Sequence, residues 1–132
     1  MKTELVRRLL LWMESCLNTQ GNFSVADLEE FFAKSFVIKT NNKRVEATPS
    51  TYRDYLYGFK KSLSSVKYDV EDLIESPNAV VAFFVIHLNF TDKQAQNLRT
   101  ISIFKFNPQG RISEWSEVFV DADEQNLSYE LK

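Results

Sequence analysis

The chain is poor in cross-linking and chain-breaking residues: among 132 residues there are one Cys, one His, three Gly and three Pro. A lone Cys16 excludes an internal disulfide, and one His beside one Cys leaves no zinc-ligand set. With 44% hydrophobic and 26% charged residues, the composition also excludes a collagen, a disulfide scaffold and a mostly disordered chain. No apolar run reaches the roughly 20 residues of a membrane span; the longest is Ala79 to Ile86. There is no glycine-rich phosphate loop, no Gly-x-Ser-x-Gly elbow and no calcium loop. Glu4, Arg7 and Arg8 interrupt any signal-peptide core at the N-terminus. The expectation is a cytoplasmic protein with no cofactor, no metal and no membrane association.

Basic charge is scarce overall, at a formal net of −2, which argues against a nucleic-acid binder. It is uneven, however. Lys34 to Lys67 holds eight basic residues against Glu46 and Asp54, whereas Asp69 to Glu75 carries four acids and the tail after Val120 is acidic. Length and composition fit a single domain over 1–132 with a core that needs no staple.

Aromatic residues are plentiful: 11 Phe, 5 Tyr and 2 Trp. Leu5, Val6, Leu9, Leu10, Trp12, Met13, Cys16 and Leu17 recur at helical spacing. Ser24 and Asp27 read as a capping box, with Phe23 and Leu28 as its hydrophobic staple, for a second helix to about Ala33. A short strand at Phe36 to Lys39 turns at Asn41-Asn42 and returns through Arg44 to Ala47. Thr48-Pro49 starts a third helix whose stripe is Tyr52, Tyr55, Leu56, Phe59, Leu63 and Val66, with Gly58 either weakening it or making room for a neighbour. The period then changes. Strands are expected over Val66–Leu73, Val80–Phe90, Arg99–Phe106 and Arg111–Val120, the last two joined by the turn Asn107-Pro108-Gln109-Gly110. Leu127, Tyr129 and Leu131 alternate and would suit an edge. The element order predicts an α+β fold with helices on one face of a sheet.

That order, with the stretch from Phe106 through Gly110-Arg111-Ile112 to Glu117 and the link Phe32-Ala33-Lys34-Ser35-Phe36-Val37-Ile38, resembles the nuclear transport factor 2 superfamily, and within it the SnoaL-like branch. The resemblance runs to about Val120. It implies a cone-shaped α+β barrel, three N-terminal helices on a strongly curved, mostly antiparallel sheet around an apolar pocket. It also implies a homodimer through the sheet face, for which Phe104, Phe106 or Phe119 are candidates. The superfamily holds isomerases, cyclases, dehydratases, binders and adaptors, so the fold does not carry a function with it.

The related ketosteroid isomerase branch would need a base near Thr40, a phenol near Met13 and an acid near Ser102, and none of the three is present. The SnoaL-like cyclase pattern, an acid on the last strand after a Trp, matches Trp115-Ser116-Glu117 and makes Glu117 the candidate acid/base. Glu114 is its competitor, since a one-residue bulge would exchange the two. His87 is the candidate partner of Glu117. Trp12, Tyr52, Tyr55, Phe59, Phe83, Ile101, Ile103 and Trp115 are the candidate ligand-binding residues. The leading expectation is a domain that binds a hydrophobic small molecule, with acid/base isomerase, cyclase or dehydratase chemistry. The alternative is a non-enzymatic dimerisation or protein-interaction module. The directions of Glu117 and His87 discriminate between them.

Overall fold

A computed structural model describes residues 2–122. Three helices, α1 (Lys2–Cys16), α2 (Val25–Glu29) and α3 (Pro49–Lys60), accompany six strands. The strands are β1 (Phe32–Thr40), β2 (Lys43–Ala47), β3 (Leu63–Glu75), β4 (Ala79–Phe90), β5 (Gln96–Phe106) and β6 (Ile112–Asp121). Leu127, Tyr129 and Leu131 lie outside the described residues.

The strands form one sheet in the order β2-β1-β6-β5-β4-β3. Every neighbouring pair is antiparallel except β1 and β6, which run parallel. This corrects the expected cone-shaped barrel on a strongly curved sheet. The sheet is mixed and open, because β2 and β3 are its two edges and do not pair with each other. The parallel pair arises because β1 and β6 are far apart in sequence and joined through the rest of the domain, so no hairpin constrains their direction.

Local chemistry sets the element ends. Both capping boxes form: Ser24 with Asp27 opens α2, and Thr48 with Thr51 opens α3 with Pro49 in its first turn. The second helix is shorter than its apolar spacing predicts. Phe31 N donates to Leu28 O to end it, and Phe32 then pairs with Ile112 as the first residue of β1. Leu63 and Val66 likewise leave the stripe of α3 and open β3, where both are buried. Asn41 takes φ 50° in the β1–β2 turn, and Gly110 takes φ 80° in the β5–β6 turn. There Asn107 Oδ1 accepts from the backbone N–H groups of Gln109 and Arg111 at 3.0 and 2.9 Å.

Alternation divides the sheet into two faces. The helices cover the inner face, which carries Val80, Ala82, Phe84, Ile86 and Leu88 of β4, with Thr100, Ser102 and Phe104 of β5 opposite them. α1 buries Val6, Leu9, Leu10 and Met13 and lies over β3 and β4. α3 contacts β1 and β2 at one edge of the sheet and β3 at the other. The outer face carries Val81, Phe83, Val85 and His87 of β4, and its exposed apolar residues include Ile74, Ile101, Ile103, Val118 and Val120.

The helix connections make opposite demands on two glycines. A Cβ at Gly21 would sit 1.8 Å from the Cys16 carbonyl oxygen, whereas a Cβ at Gly58 meets nothing within 4 Å. Gly58 therefore only weakens α3. In urea unfolding, Gly21→Ala is expected to cost at least about 2 kcal/mol, and Gly58→Ala to add about 0.5–1 kcal/mol. Equal effects would contradict this reading of the α1–α2 connection.

Candidate functional site

The carboxylates of β6 are sorted by a register shift. Phe106 pairs with Ile112, but Lys105 pairs with Glu114, so β6 holds one residue more than β5 at this point. Ile112 and Trp115, three apart, are both buried on the inner face. Glu117 follows Trp115 by two and faces inward with it, opposite Ser102. Glu114 turns to the outer face, where Lys39 and Lys105 each approach it to 3.6 Å. Burial raises the Glu114 carboxyl, but the Ser116 hydroxyl, Lys105 and Lys39 outweigh it and hold the group below its ordinary range.

Glu117 has no such support. Ser102 Oγ donates to Glu117 Oε1 at 3.1 Å, and Trp115 Nε1 donates to Ser102 Oγ at 3.1 Å. Ser102 and Trp115 are buried, whereas Glu117 stays partly accessible. Burial pushes the Glu117 carboxyl above its ordinary value, and the neutral donors Ser102 and Trp115 offset that only in part.

Two tyrosines face the same charge. Burial pushes the hydroxyls of Tyr52 and Tyr68 well up, and the Glu117 carboxylate adds to that in both. Both phenols therefore remain proton donors across the physiological range. Tyr52, from α3, sets its ring against Phe32 and Phe36 at 5.4 and 5.6 Å between centroids. Tyr68, from β3, packs edge-on to Phe84, and its backbone N–H donates to Glu14 Oε2 of α1 at 2.7 Å. Trp115 stacks between Phe32 and Phe104. A weak acid, a serine and two phenols thus stand beside an aromatic wall.

His87 lies on the opposite face of the sheet, which corrects its expected approach to Glu117. Its Nε2 is 2.6 Å from Asp69 Oδ2 and its Nδ1 is 2.5 Å from Asn97 Oδ1. Both ring nitrogens are occupied, and the cluster ties β3, β4 and β5 together at the surface. The cause is alternation: His87 shares parity with Phe83 and Val85, and these point outward. For the same reason Phe83, Ile101 and Ile103 lie on the outer face, away from Glu117. Phe104 is fully buried on the inner face, so it takes no part in the open sheet face.

The helical candidates divide as well. Tyr52 reaches the Glu117 region. Trp12 packs instead on Phe23 and Phe31, at 5.4 and 5.7 Å. Tyr55 is 63% exposed and stacks between Tyr52 and Phe59 along α3. Ser102 and Tyr68 belong to the cluster although neither was a candidate. The parity of Tyr68 with Val66 and Val70 was the available signal. For Ser102 the signal was its place near the acid position of the ketosteroid isomerase branch, where the absence of a carboxylate turned attention away from it.

Cys16 is buried and free, its thiol pushed up to about 12 by burial and then by Asp27. Among the described residues no three His, Cys, Asp or Glu side chains gather as metal ligands. No helix among them is long and apolar enough to cross a membrane. Two surface hollows are also present, neither lined by Glu117. One, of about 510 Å³, lies over Phe23, Asp27 and Arg53. The other, of about 690 Å³, lies where β1, α3 and the β5–β6 turn meet.

Helices on one face of a mixed sheet, with an inward acid on the last strand, define a small two-layer α+β domain. The SnoaL-like domain family matches residues 12–115, and the chain belongs to that family. Solved structures agree on the fold. An NTF2-like protein of unknown function from Exiguobacterium sp. 255-15 has a TM-score of 0.72 at 11% identity, covering 91% of this chain and 99% of that one. An NTF2-like protein of unknown function from Cytophaga hutchinsonii ATCC 33406 has a TM-score of 0.62 at 18% identity, over 91% and 90%. An LEH-like epoxide hydrolase of M. tuberculosis has a TM-score of 0.67 at 13% identity, over 89% and 84%. At these identities the likeness is one of fold. No curated protein matches the chain.

The raised Glu117 carboxyl has a signed consequence for stability. As pH rises above the ordinary value of 4.5, the unfolded chain releases this proton before the folded chain does. The folded state then binds more protons, and stability falls with rising pH through that window. Glu117→Gln keeps the acceptor for Ser102 and removes the charge. Relative to wild type its Tm is expected to be unchanged near pH 4 and higher by roughly 2–5 °C at pH 7. Thermal melts across pH check this, and a variant less stable at pH 7 would contradict it.

Proposed function

We propose that this domain binds a small, largely apolar molecule in a recess over the inner faces of β5 and β6. Protonated Glu117 donates a hydrogen bond to a ligand oxygen there. The observation that carries the reading is a desolvated carboxyl, held only by neutral donors, on a residue that solvent still reaches. Such a group keeps its proton nearer to neutral pH than an ordinary carboxylate does, which suits general acid/base work. Protonation of a carbonyl or hydroxyl oxygen by Glu117, with Tyr52 or Tyr68 donating to the same oxygen, is the chemistry an isomerase, cyclase or dehydratase requires. Trp115 and the rings behind it supply the apolar wall.

The neutral aryl ketone 2-acetonaphthone tests this reading, with quenching of tryptophan fluorescence as the signal. Wild type is expected to bind it. Glu117→Leu, which removes the donor and keeps the volume, should weaken binding about tenfold, one buried hydrogen bond's worth. Equal affinity in the two proteins would remove Glu117 from the site.

The outer face favours a second, compatible reading: a homodimer formed through it. Ile74, Val118 and Val120 are 51%, 57% and 65% exposed, and Ile101 and Ile103 lie between them on β5. The charges at its margins are already paired within the chain, Arg99 with Glu71 and Lys105 with Glu114. A second copy presents the same apolar centre and the same neutralised rim, as a two-fold interface requires. Light scattering after size exclusion is expected to give a dimer for wild type and a monomer for the Ile101→Lys, Val118→Lys variant. A monomeric wild type would contradict this reading.

A further inference from the structure

The hollow of about 690 Å³ lies far along the sheet from the Glu117 end of β6, and its origin is an irregularity in β1. β1 advances from Phe32 to Val37 while its partner β6 advances only from Ile112 to Glu114. The residues Ala33 to Ser35 therefore bow away from β6. Phe32 stays pinned, because it pairs with Ile112 and the Ile112 N–H donates to Phe31 O at 2.8 Å. Phe32, Ala33 and Pro49 close the floor, all of them buried. The two sequence stretches that carry the family resemblance meet at this place.

The rim is charged. Lys34 and Arg111 stand on it, and Glu29 is the only acid on the lining. Arg111 Nε donates to the Glu29 carbonyl oxygen at 3.1 Å, which fixes the guanidinium. Neither Lys34 nor Arg111 forms a salt bridge among the described residues, whereas Arg8, Arg44, Arg53 and Arg99 each do. The two terminal nitrogens of Arg111 are thus held ready in a fork that matches a carboxylate. The lining keeps an excess of one positive charge, and the volume is that of a small-molecule site.

We propose that this hollow binds a small amphipathic carboxylate. The carboxylate pairs with the Arg111 fork and with Lys34, and an aromatic or aliphatic body covers Phe32, Ala33 and Pro49. An inorganic anion would leave the apolar floor uncovered, and a neutral molecule would leave both cations unpaired. The site is separate from the Glu117 recess and stands or falls independently of it.

Titration of the full chain with 4-phenylbutyrate tests the proposal, followed by backbone amide shifts. The comparison ligands are 4-phenylbutanol, which lacks the charge, and acetate, which lacks the body. Phenylbutyrate is expected to move the amides of Lys34, Ser35, Gln109 and Gly110 and to bind about tenfold more tightly than either comparison ligand. Arg111→Gln and Lys34→Gln, both at exposed positions, should each weaken it about fivefold or more, and Glu117→Leu should leave it unchanged. The proposal is overturned by equal binding of the alcohol, by affinity that both charge variants retain, by shifts centred on Glu117, or by no binding at about 10 mM ligand.

Discussion

One extra residue in β6, opposite Lys105 and Phe106, decides which face every later side chain of that strand occupies. Ile112 and Trp115 both have apolar bulk to bury, yet they are three apart and a regular strand would send them to opposite faces. The bulge lets both enter the core, where burying each is worth about 2 kcal/mol. Everything at the candidate site follows from that choice. Glu117 is carried inward beside Ser102, and Glu114 is carried outward between two lysines. Without the shift the two carboxylates would trade places, and Glu114 would be the acid on the inner face.

The two acids then diverge for physical reasons that the strand itself does not contain. Glu114 finds cations on β1 and β5 and is stabilised as a carboxylate. Glu117 finds hydroxyls, an indole and two phenols, none of which supplies positive charge. Opposed environments acting on like groups are the usual way a fold prepares one of them to hold a proton. The helices matter because they pack on the face that carries this region, α1 against β3 and β4 and α3 against β1, β2 and β3.

Much of the element order was legible in the sequence because turn and cap chemistry is local. Ser24, Asp27, Thr48-Pro49 and the Asn107–Gly110 turn all act within a few residues of themselves. The errors came where apolar spacing was ambiguous. Phe31 and Phe32 continue a helical period from Leu28, and Leu63 and Val66 continue one from Phe59, yet Phe32, Leu63 and Val66 serve strands. The parity of His87 with Phe83 and Val85 was readable, but not which face that parity meets. That depends on which strands lie opposite, and hence on long-range pairing. The open, mixed sheet was missed for the same reason, since nothing near β1 or β6 in sequence specifies their parallel pairing. The family resemblance pointed to a carboxylate on the last strand and implied a cone-shaped barrel on a strongly curved sheet, whereas the pairing of His87 with Glu117 rested on strand parity.

The central claim is that the protein raises the Glu117 carboxyl above its ordinary value while it lowers that of Glu114. Side-chain carboxyl chemical shifts of glutamate, followed by NMR over a pH series and assigned with Glu117→Gln and Glu114→Gln, measure both in one sample. The account predicts a Glu117 midpoint above 4.5 and a Glu114 midpoint below it. A Glu117 midpoint at or below that of Glu114 would contradict it.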